Sequence, residues 1–247
     1  MGMRLAIDVG NTRTKVGEFQ GNELLKTHYF TNDEVLKNSL MLDELNLEGL
    51  IISSVNQKVS KALPLNDKPY PCLTLDQHTP LPIKLRYESK DTLGKDRIAL
   101  AVGASACFPA QDVLAIDVGT CITYDLVNKE QEYLGGAISP GIQLRLKSLH
   151  TGTASLPLID WQAQAGKSIS FLGKSTMASM ISGVVNGING EIQSFINTYR
   201  NTYDNLTVII SGGDASFFEK ELKNGIFADP NLVLKGLNEI LLYNLHT

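Results

Sequence analysis

The pentapeptide Ala-Ile-Asp-Val-Gly occurs twice in the chain, at Ala6–Gly10 and Ala115–Gly119, each time closing an apolar run and opening a turn. Met3 to Val9 leads into Asp8-Val9-Gly10-Asn11-Thr12, and Val113 to Val118 leads into Asp117-Val118-Gly119-Thr120. After the first turn, Lys15-Val16-Gly17-Glu18-Phe19 alternates like a half-buried strand. After the second, Ile122-Thr123-Tyr124-Asp125-Leu126-Val127 runs back in the same way. Each copy therefore predicts a strand, a glycine turn and a returning strand. Self-similarity at this long spacing is not a solenoid repeat. It predicts two equivalent subdomains, 1–110 and 111–247, with the boundary near Gln111.

Between and after the copies the pattern is mixed. Thr31-Asn32-Asp33-Glu34 has capping-box spacing and predicts a helix to about Leu45. Leu50–Ser54 and Ile83–Tyr87 predict strands, joined by a proline-rich connection from Pro64 to Pro82. The small-residue run from Arg97 to Phe108 predicts a closely packed helix. Further helices are expected from about Pro140, from Ser175 to Arg200 and up to Leu245, with a strand at Leu206–Ile210. The Gly183 and Gly187 spacing predicts close packing of the long helix. Alternating strands and helices define an α/β class with mixed sheets flanked by helices.

The composition, 43% hydrophobic and 19% charged over 247 residues, is that of a folded globular chain. A net charge of -4 argues against a general nucleic-acid binder, which needs a basic face for phosphates. Cys72, Cys107 and Cys121 are odd in number and lack CxxC spacing, so they are expected as buried, reduced thiols rather than disulfide or zinc ligands. Asp8 interrupts the N-terminal apolar run before signal-peptide length, and Ala6 stands where myristoylation wants Ser or Thr. No run approaches the roughly 20 apolar residues of a membrane span. A soluble cytoplasmic protein without membrane partners is expected.

A turn that places Gly, Asn and Thr after a buried strand offers backbone N–H groups and hydroxyls to a phosphate, and a strand-end carboxylate can hold a hydrated magnesium ion. Asp8 is thus a candidate magnesium ligand through water. The segment Asp8, Val9, Gly10, Asn11, Thr12, Arg13, Thr14 and Lys15 is the candidate ATP-phosphate site, Lys15 neutralising charge. A single such turn reads equally as a plain hairpin; two copies with Asp and Thr at matching places favour phosphate. Ser211-Gly212-Gly213-Asp214 follows a strand, where paired glycines let a nucleobase approach backbone; the alternative is a strand-to-helix loop with Asp214 as helix cap. Gly94-Lys95-Asp96-Arg97 sets an acid able to receive a hydroxyl proton beside a guanidinium able to grip a carboxylate. The alternative makes Asp96 a simple N-cap with Arg97 as its first-turn partner. Gly166-Lys167-Ser168 and Gly173-Lys174-Ser175 are not Walker A endings, because the glycine required five positions earlier is Trp161 or Ser168. The four histidines lack ligand spacing.

In chain order, Asp8-Val-Gly-Asn-Thr-Arg-Thr-Lys15, Gly94-Lys-Asp-Arg97, Asp117-Val-Gly-Thr-Cys-Ile-Thr-Tyr-Asp125, Gly135-Gly-Ala-Ile-Ser-Pro-Gly141 and Ser211-Gly-Gly-Asp214 resemble the signature of the type III pantothenate kinase family, over nearly the whole chain. The resemblance implies duplicated actin-like (ribonuclease H-like) domains and ATP-dependent phosphorylation of pantothenate, the first step towards coenzyme A. It also implies Mg2+, a monovalent cation such as K+ or NH4+, and a homodimer. Carried residue by residue, it makes Asp96 the general base and puts Gly94, Lys95, Asp96 and Arg97 around pantothenate, with Tyr87 and Thr176 as further substrate contacts. It gives Asp117 the monovalent cation and Thr120 an ATP contact, while Gly212 and Gly213 are candidate ATP contacts on the strand-end reading alone. Cys121 departs from the commoner Ala, and Ser211 from Thr. The rivals are another small-molecule kinase of the same superfamily and a nonenzymatic nucleotide-binding regulator, for which Asp96 has no evident use. The helices at Ile98–Phe108 and Thr176–Ile188 are candidate dimer surfaces.

Overall fold

Strands β1 (Met3–Val9) and β2 (Arg13–Gln20) form an antiparallel hairpin in register from Met3↔Gln20 to Val9↔Thr14. The computed structural model describes residues 2–11, 13–38, 47–63, 65, 68–164, 167–222 and 226–246. Strand β3 (Glu23–Thr31) pairs antiparallel with β2, helix α1 (Asn32–Asn38) follows, and β4 (Leu47–Ser54) lies parallel to β1. Helix α2 (Gln57–Ala62) and strand β5 (Cys72–Thr74) complete a five-stranded sheet of order β3-β2-β1-β4-β5. The capping box forms: the Thr31 N–H donates to Glu34 Oε2 at 2.6 Å, and the Glu34 N–H to Thr31 Oγ1 at 3.2 Å. The part of the expected helix from 39 to 45 lies outside the described residues.

The chain continues through β6 (Lys84–Leu85), α3 (Lys95–Cys107), β7 (Val113–Val118), β8 (Cys121–Val127), β9 (Glu132–Pro140) and α4 (Ile142–Thr151). Then come α5 (Thr176–Arg200), β10 (Thr207–Ser211), α6 (Ala215–Glu221), β11 (Ile226–Ala228) and α7 (Leu232–Leu245). The second sheet has the order β11-β10-β7-β8-β9-β6. Two compact units result: Met1–Gln111 with Asp125–Gly135 and Asn231–Thr247, and Asp112–Tyr124 with Gly136–Pro230.

In the first unit, sheet registers align the apolar faces. Leu5 pairs with Leu50 and Ile7 with Ile52, and these residues join Val9, Val16, Val59 and Leu63 in one core. Ala6 and Ile51 share the opposite face, on which α7 packs. Helices α3 and α7 touch through backbone. A β-carbon at Gly236 would stand 1.8 Å from the Ala99 carbonyl oxygen, and one at Gly103 2.3 Å from that of Leu232. Arg4, only 2% exposed, is held from three sides: its Nε donates to Asn238 Oδ1, its guanidinium pairs with Glu48, and it donates to the Gly21 carbonyl. In the second unit, β7 and β10 are buried nearly end to end and run parallel, with Ile116 opposite Ile210 and Asp117 opposite Ser211.

Several expectations are corrected. The strand expected at Ile83–Tyr87 shrinks to Lys84–Leu85, because its register with β9 ends at Leu85↔Tyr133, the Arg86 N–H making the last bond to the Tyr133 carbonyl at 2.9 Å. Cys107 and Cys121 are exposed rather than buried, standing at the last turn of α3 and the first position of β8, and Cys72 is half-buried. Gly183, Gly187 and Gly190 of α5 face open space, so no described residue of this chain packs closely against them. The α3 face at Ile98–Ser105 is buried, against α7, and leaves no surface there for a partner.

Candidate active site

At the end of β1, Asp8 stands opposite Lys15 of β2 and Ser53 of β4. The half-buried Asp8 carboxyl is pushed up to about 6 by its burial. Lys15 pulls in the opposite direction, and the charge of Asp96 adds to the rise. Lys15 and Asp96, both of the first unit, thus each lie within electrostatic reach of Asp8. Ser53 is fully buried, and its hydroxyl finds no hydrogen-bond partner among the described residues. Carboxylates raised by burial and a like charge are typical of sites that receive a cation or a proton.

The turn after Asp8 is fastened by a residue the sequence marks only as part of a helix cap. Asn32 Nδ2 donates to the carbonyls of Gly10 (3.1 Å) and Asn11 (3.0 Å), and Asn32 Oδ1 accepts from the Thr14 hydroxyl (2.9 Å). The Gly10 N–H closes the turn on the Arg13 carbonyl at 3.0 Å. Thr14 is fully buried with its hydroxyl committed to Asn32, and the Val9 side chain lies in the core. Asn11 and Arg13 are exposed, while Thr12 lies outside the described residues.

Gly94 is the N-cap of α3, so Asp96 sits inside the first turn rather than at the cap, with its exposed carboxylate accepting the Arg97 N–H at 2.9 Å. The Arg97 side chain is buried, and its Nε donates to Asp125 Oδ1 at 2.9 Å. Its Cζ stands 5.8 Å from the ring centroid of Tyr87. Lys95 and Tyr87 are half-buried.

In the second unit Asp117 is half-buried at the end of β7, and the Gly119 N–H closes the turn on the Cys121 carbonyl at 3.0 Å, leaving Thr120 exposed. Gly212 adopts φ +99°, and a β-carbon there would stand 2.3 Å from the Val118 carbonyl oxygen, so β10 can turn at this point only without a side chain. The neighbouring Gly213 is exposed with open space where its side chain would be. Asp214 precedes α6 but makes no side-chain cap; its Oδ1 accepts the indole N–H of Trp161 at 3.0 Å. Burial raises the Asp214 carboxyl, and the indole bond works against the rise. Thr176, exposed at the start of α5, lines a cavity of about 740 Å³ with Arg145, Ser148, Ser179 and Met180.

The model of the family described as type III pantothenate kinase matches residues 4–198, which include both Asp-Val-Gly turns, Asp96 and Thr176. The chain belongs to the type III pantothenate kinase family. The type III pantothenate kinase of Christiangramia forsetii is 43% identical over 244 residues, covering 98% of this chain and 99% of the relative. That of Bacteroides fragilis is 41% identical over 243 residues, covering 98% of both. Among solved structures, a Campylobacter jejuni protein assigned to the Baf family of transcriptional activators matches with a TM-score of 0.64 at 22% identity, over 98% of this chain and 100% of that one. Component A of (R)-2-hydroxyglutaryl-CoA dehydratase from Acidaminococcus fermentans matches with 0.53 at 16%, over all of both chains. These two likenesses are of fold alone. The fold of this pantothenate kinase is the duplicated actin-like α/β fold with two mixed sheets flanked by helices.

Of the candidate residues in this type III pantothenate kinase, Asp8, Lys15 and Asp96 come together in the first unit, while Asp117, Thr120, Gly212, Gly213 and Thr176 belong to the second. Asn32 and Asp125, which hydrogen-bond to candidate residues, were not singled out as site residues in the sequence. Asp125 closes the second Asp-Val-Gly motif, which was a signal, but its partner Arg97 becomes visible only in the fold.

Proposed function

We infer that the protein transfers the γ-phosphoryl group of ATP to the primary hydroxyl of pantothenate, giving 4'-phosphopantothenate and ADP, the first step of coenzyme A biosynthesis. The observation that carries this reading is that Asp96 and Lys15 both act on the buried charge of Asp8 in a chain of this family. Asp96 receives and aims the pantothenate hydroxyl. As that oxygen bonds the γ-phosphorus, the bond from phosphorus to the β–γ bridging oxygen breaks, ADP leaves with the electron pair, and the hydroxyl proton passes to Asp96. A carboxylate is a weak base for an alcohol, yet phosphoryl transfer is loose and needs little early proton removal. Orientation is therefore the larger part of the Asp96 contribution. Lys15 and the segment Asn11, Thr12 and Arg13 are proposed to hold the phosphates, and Thr120, Gly212 and Gly213 are proposed as further ATP contacts.

Magnesium suits Asp8. Among the described residues no group of three or more His, Cys, Asp or Glu could hold a metal, but magnesium keeps its waters and needs only one or two carboxylates beside phosphate oxygens. An ionised Asp8 raised by burial, opposite a Ser53 hydroxyl that has no hydrogen-bond partner among the described residues, fits such an outer-sphere role. Magnesium bound there would neutralise charge on the β- and γ-phosphates. A monovalent cation, K+ or NH4+, is proposed beside Asp117. Tyr87, Gly94, Lys95, Arg97 and Thr176 are proposed as pantothenate contacts. A homodimer through the open glycine face of α5, where Met177 is 45% exposed, and a cytoplasmic location complete the reading. Among the described residues no helix is long and apolar enough to cross a membrane. The sequence halves 1–110 and 111–247 are proposed as the duplicated subdomains.

An ADP-release assay with pantothenate, sugars and acetate, each with and without potassium, tests the reading. Pantothenate-dependent release is expected. Turnover of a sugar or acetate instead would identify another kinase of the superfamily, and ATP binding without turnover of any acceptor a regulator.

A further inference from the structure

The Arg97 side chain joins a buried charged cluster in which Asp125 and Tyr133 have no role above. Asp125 is fully buried and Arg97 only 5% exposed. Arg97 Nε donates to Asp125 Oδ1 at 2.9 Å, and Nη2 stands 2.8 Å from the same oxygen. The fully buried Tyr133 donates its hydroxyl to that oxygen as well, at 2.8 Å. The guanidinium lies against two rings, its Cζ 5.8 Å from the Tyr87 centroid and 6.0 Å from that of Tyr133, and the rings stand 5.8 Å apart. All four residues belong to the first unit.

Burying an ion pair is a poor way to gain stability, because desolvation consumes most of the attraction; an apolar cluster of equal volume would hold the strands as well. What the pair supplies is direction. Two contacts to one oxygen and two flanking rings leave the guanidinium a single orientation, and the backbone N–H of the same residue holds the Asp96 carboxylate. Burial pulls the Arg97 pKa down, but the charge and hydrogen bond of Asp125 together with Tyr133 and Tyr87 outweigh it, so the group stays cationic.

We propose that Asp125 and Tyr133 are positioning residues for pantothenate: they lock Arg97 into one orientation, and Arg97 so held fixes the substrate beside Asp96. The inference rests on the pantothenate kinase reading. Its test compares wild type, Tyr133→Phe and Asp125→Asn in steady-state kinetics against each substrate, with calorimetric titration of pantothenate and, separately, of an ATP analogue. Tyr133→Phe keeps the ring and removes only the hydroxyl, so it preserves the fold. It is expected to raise KM and Kd for pantothenate about five- to tenfold, the scale of one ordinary net hydrogen bond, because the hydroxyl acts on the substrate only through Arg97. The corresponding constants for ATP stay within about twofold of wild type. Asp125→Asn keeps the shape and an acceptor oxygen but removes the charge, and is expected to weaken pantothenate by about 30-fold or more. Equal losses for both substrates, or unchanged pantothenate affinity in Tyr133→Phe, would overturn the proposal and leave the cluster a structural one. Should Asp125→Asn not fold, the Tyr133→Phe result decides alone. Failure of the wild type to phosphorylate pantothenate would instead remove the functional reading, a result the variants play no part in.

Discussion

A β-carbon on residue 94 would stand 2.5 Å from Oδ1 of Asp96, so Gly94 is the vacancy into which the candidate base folds. The backbone of Gly94 is in an ordinary region, and its carbonyl accepts the Ile98 N–H at 3.0 Å whatever the side chain. The obstacle is the tip of a flexible side chain, so Gly94→Ala will fold and Asp96 will swing aside. A misplacement of about 1 Å at a reacting group costs on the order of 100-fold in rate. We expect kcat to fall by about that factor with the melting temperature and ATP affinity nearly unchanged, measured by ADP release and scanning calorimetry.

Asp96→Asn removes the proton acceptor and keeps the shape. Positioned acid–base groups contribute roughly 100- to 10,000-fold. Turnover should drop into that range while titration with an ATP analogue gives wild-type affinity. Turnover within a few fold of wild type would remove Asp96 from the mechanism.

Asn32 ties the Gly10–Thr14 turn through three hydrogen bonds. Asn32→Ala leaves the buried Thr14 hydroxyl without its acceptor and frees two turn carbonyls, a loss of about 1 kcal/mol for each bond. Because the turn is the candidate phosphate site, KM for ATP should rise about tenfold or more, while KM for pantothenate changes little. Equal changes in the two constants would make Asn32 a stability residue only.

The parts of this site that were legible in the sequence are those fixed by local pattern. The two Asp-Val-Gly turns, the Thr31 capping box and the helix after Gly94 depend on neighbours a few residues away, and all formed. Strand β3 was missed because most of its side chains are not buried, which leaves no alternation to detect; β5, at three residues, is too short to show any. The Arg97 partnership was missed for a different reason. Spacing suggested Asp96, one residue away, but the first turn of α3 directs the guanidinium inward, to a carboxylate 28 positions along the chain. Cys121 was expected inside because cysteine behaves as a small apolar residue, whereas its place at the open end of β8 decides its exposure.

Trp161 is the only tryptophan of the chain, and its indole N–H donates to Asp214 at the end of the Gly212–Gly213 turn. It is 3% exposed and meets the Phe217 ring edge-on at 5.5 Å. If the turn receives the nucleotide, filling it will alter the carboxylate that the indole contacts. Titration with ATP should therefore change the intrinsic tryptophan emission saturably, and Asp214→Asn should reduce the amplitude. Pantothenate alone should leave the emission unaltered. An emission insensitive to ATP would separate this turn from the nucleotide site.

Asp8 carries a charge that the empty fold does not welcome. Its pKa is displaced from an ordinary 3.8 to about 6, so ionisation is harder in the folded chain than in the unfolded one. The cost is absent below pH 3.8, grows as pH rises through the interval up to 6, and is complete above it, where it corresponds to about 3 kcal/mol at most. Asp8→Asn removes the charge and keeps the size. Without ligands the variant should therefore melt higher than wild type at pH 7.5, by roughly 2–8 °C after allowing for relaxation around the site. At pH 4.5 wild-type Asp8 is already protonated in the folded state, and the gain should shrink to about one third. Magnesium with ATP should reverse the order by stabilising wild type alone, through selective binding to the folded state. A variant less stable than wild type at pH 7.5 would show that the carboxylate holds the fold together, and Asp8 would then lose its claim to be a cation-binding group maintained at the expense of stability.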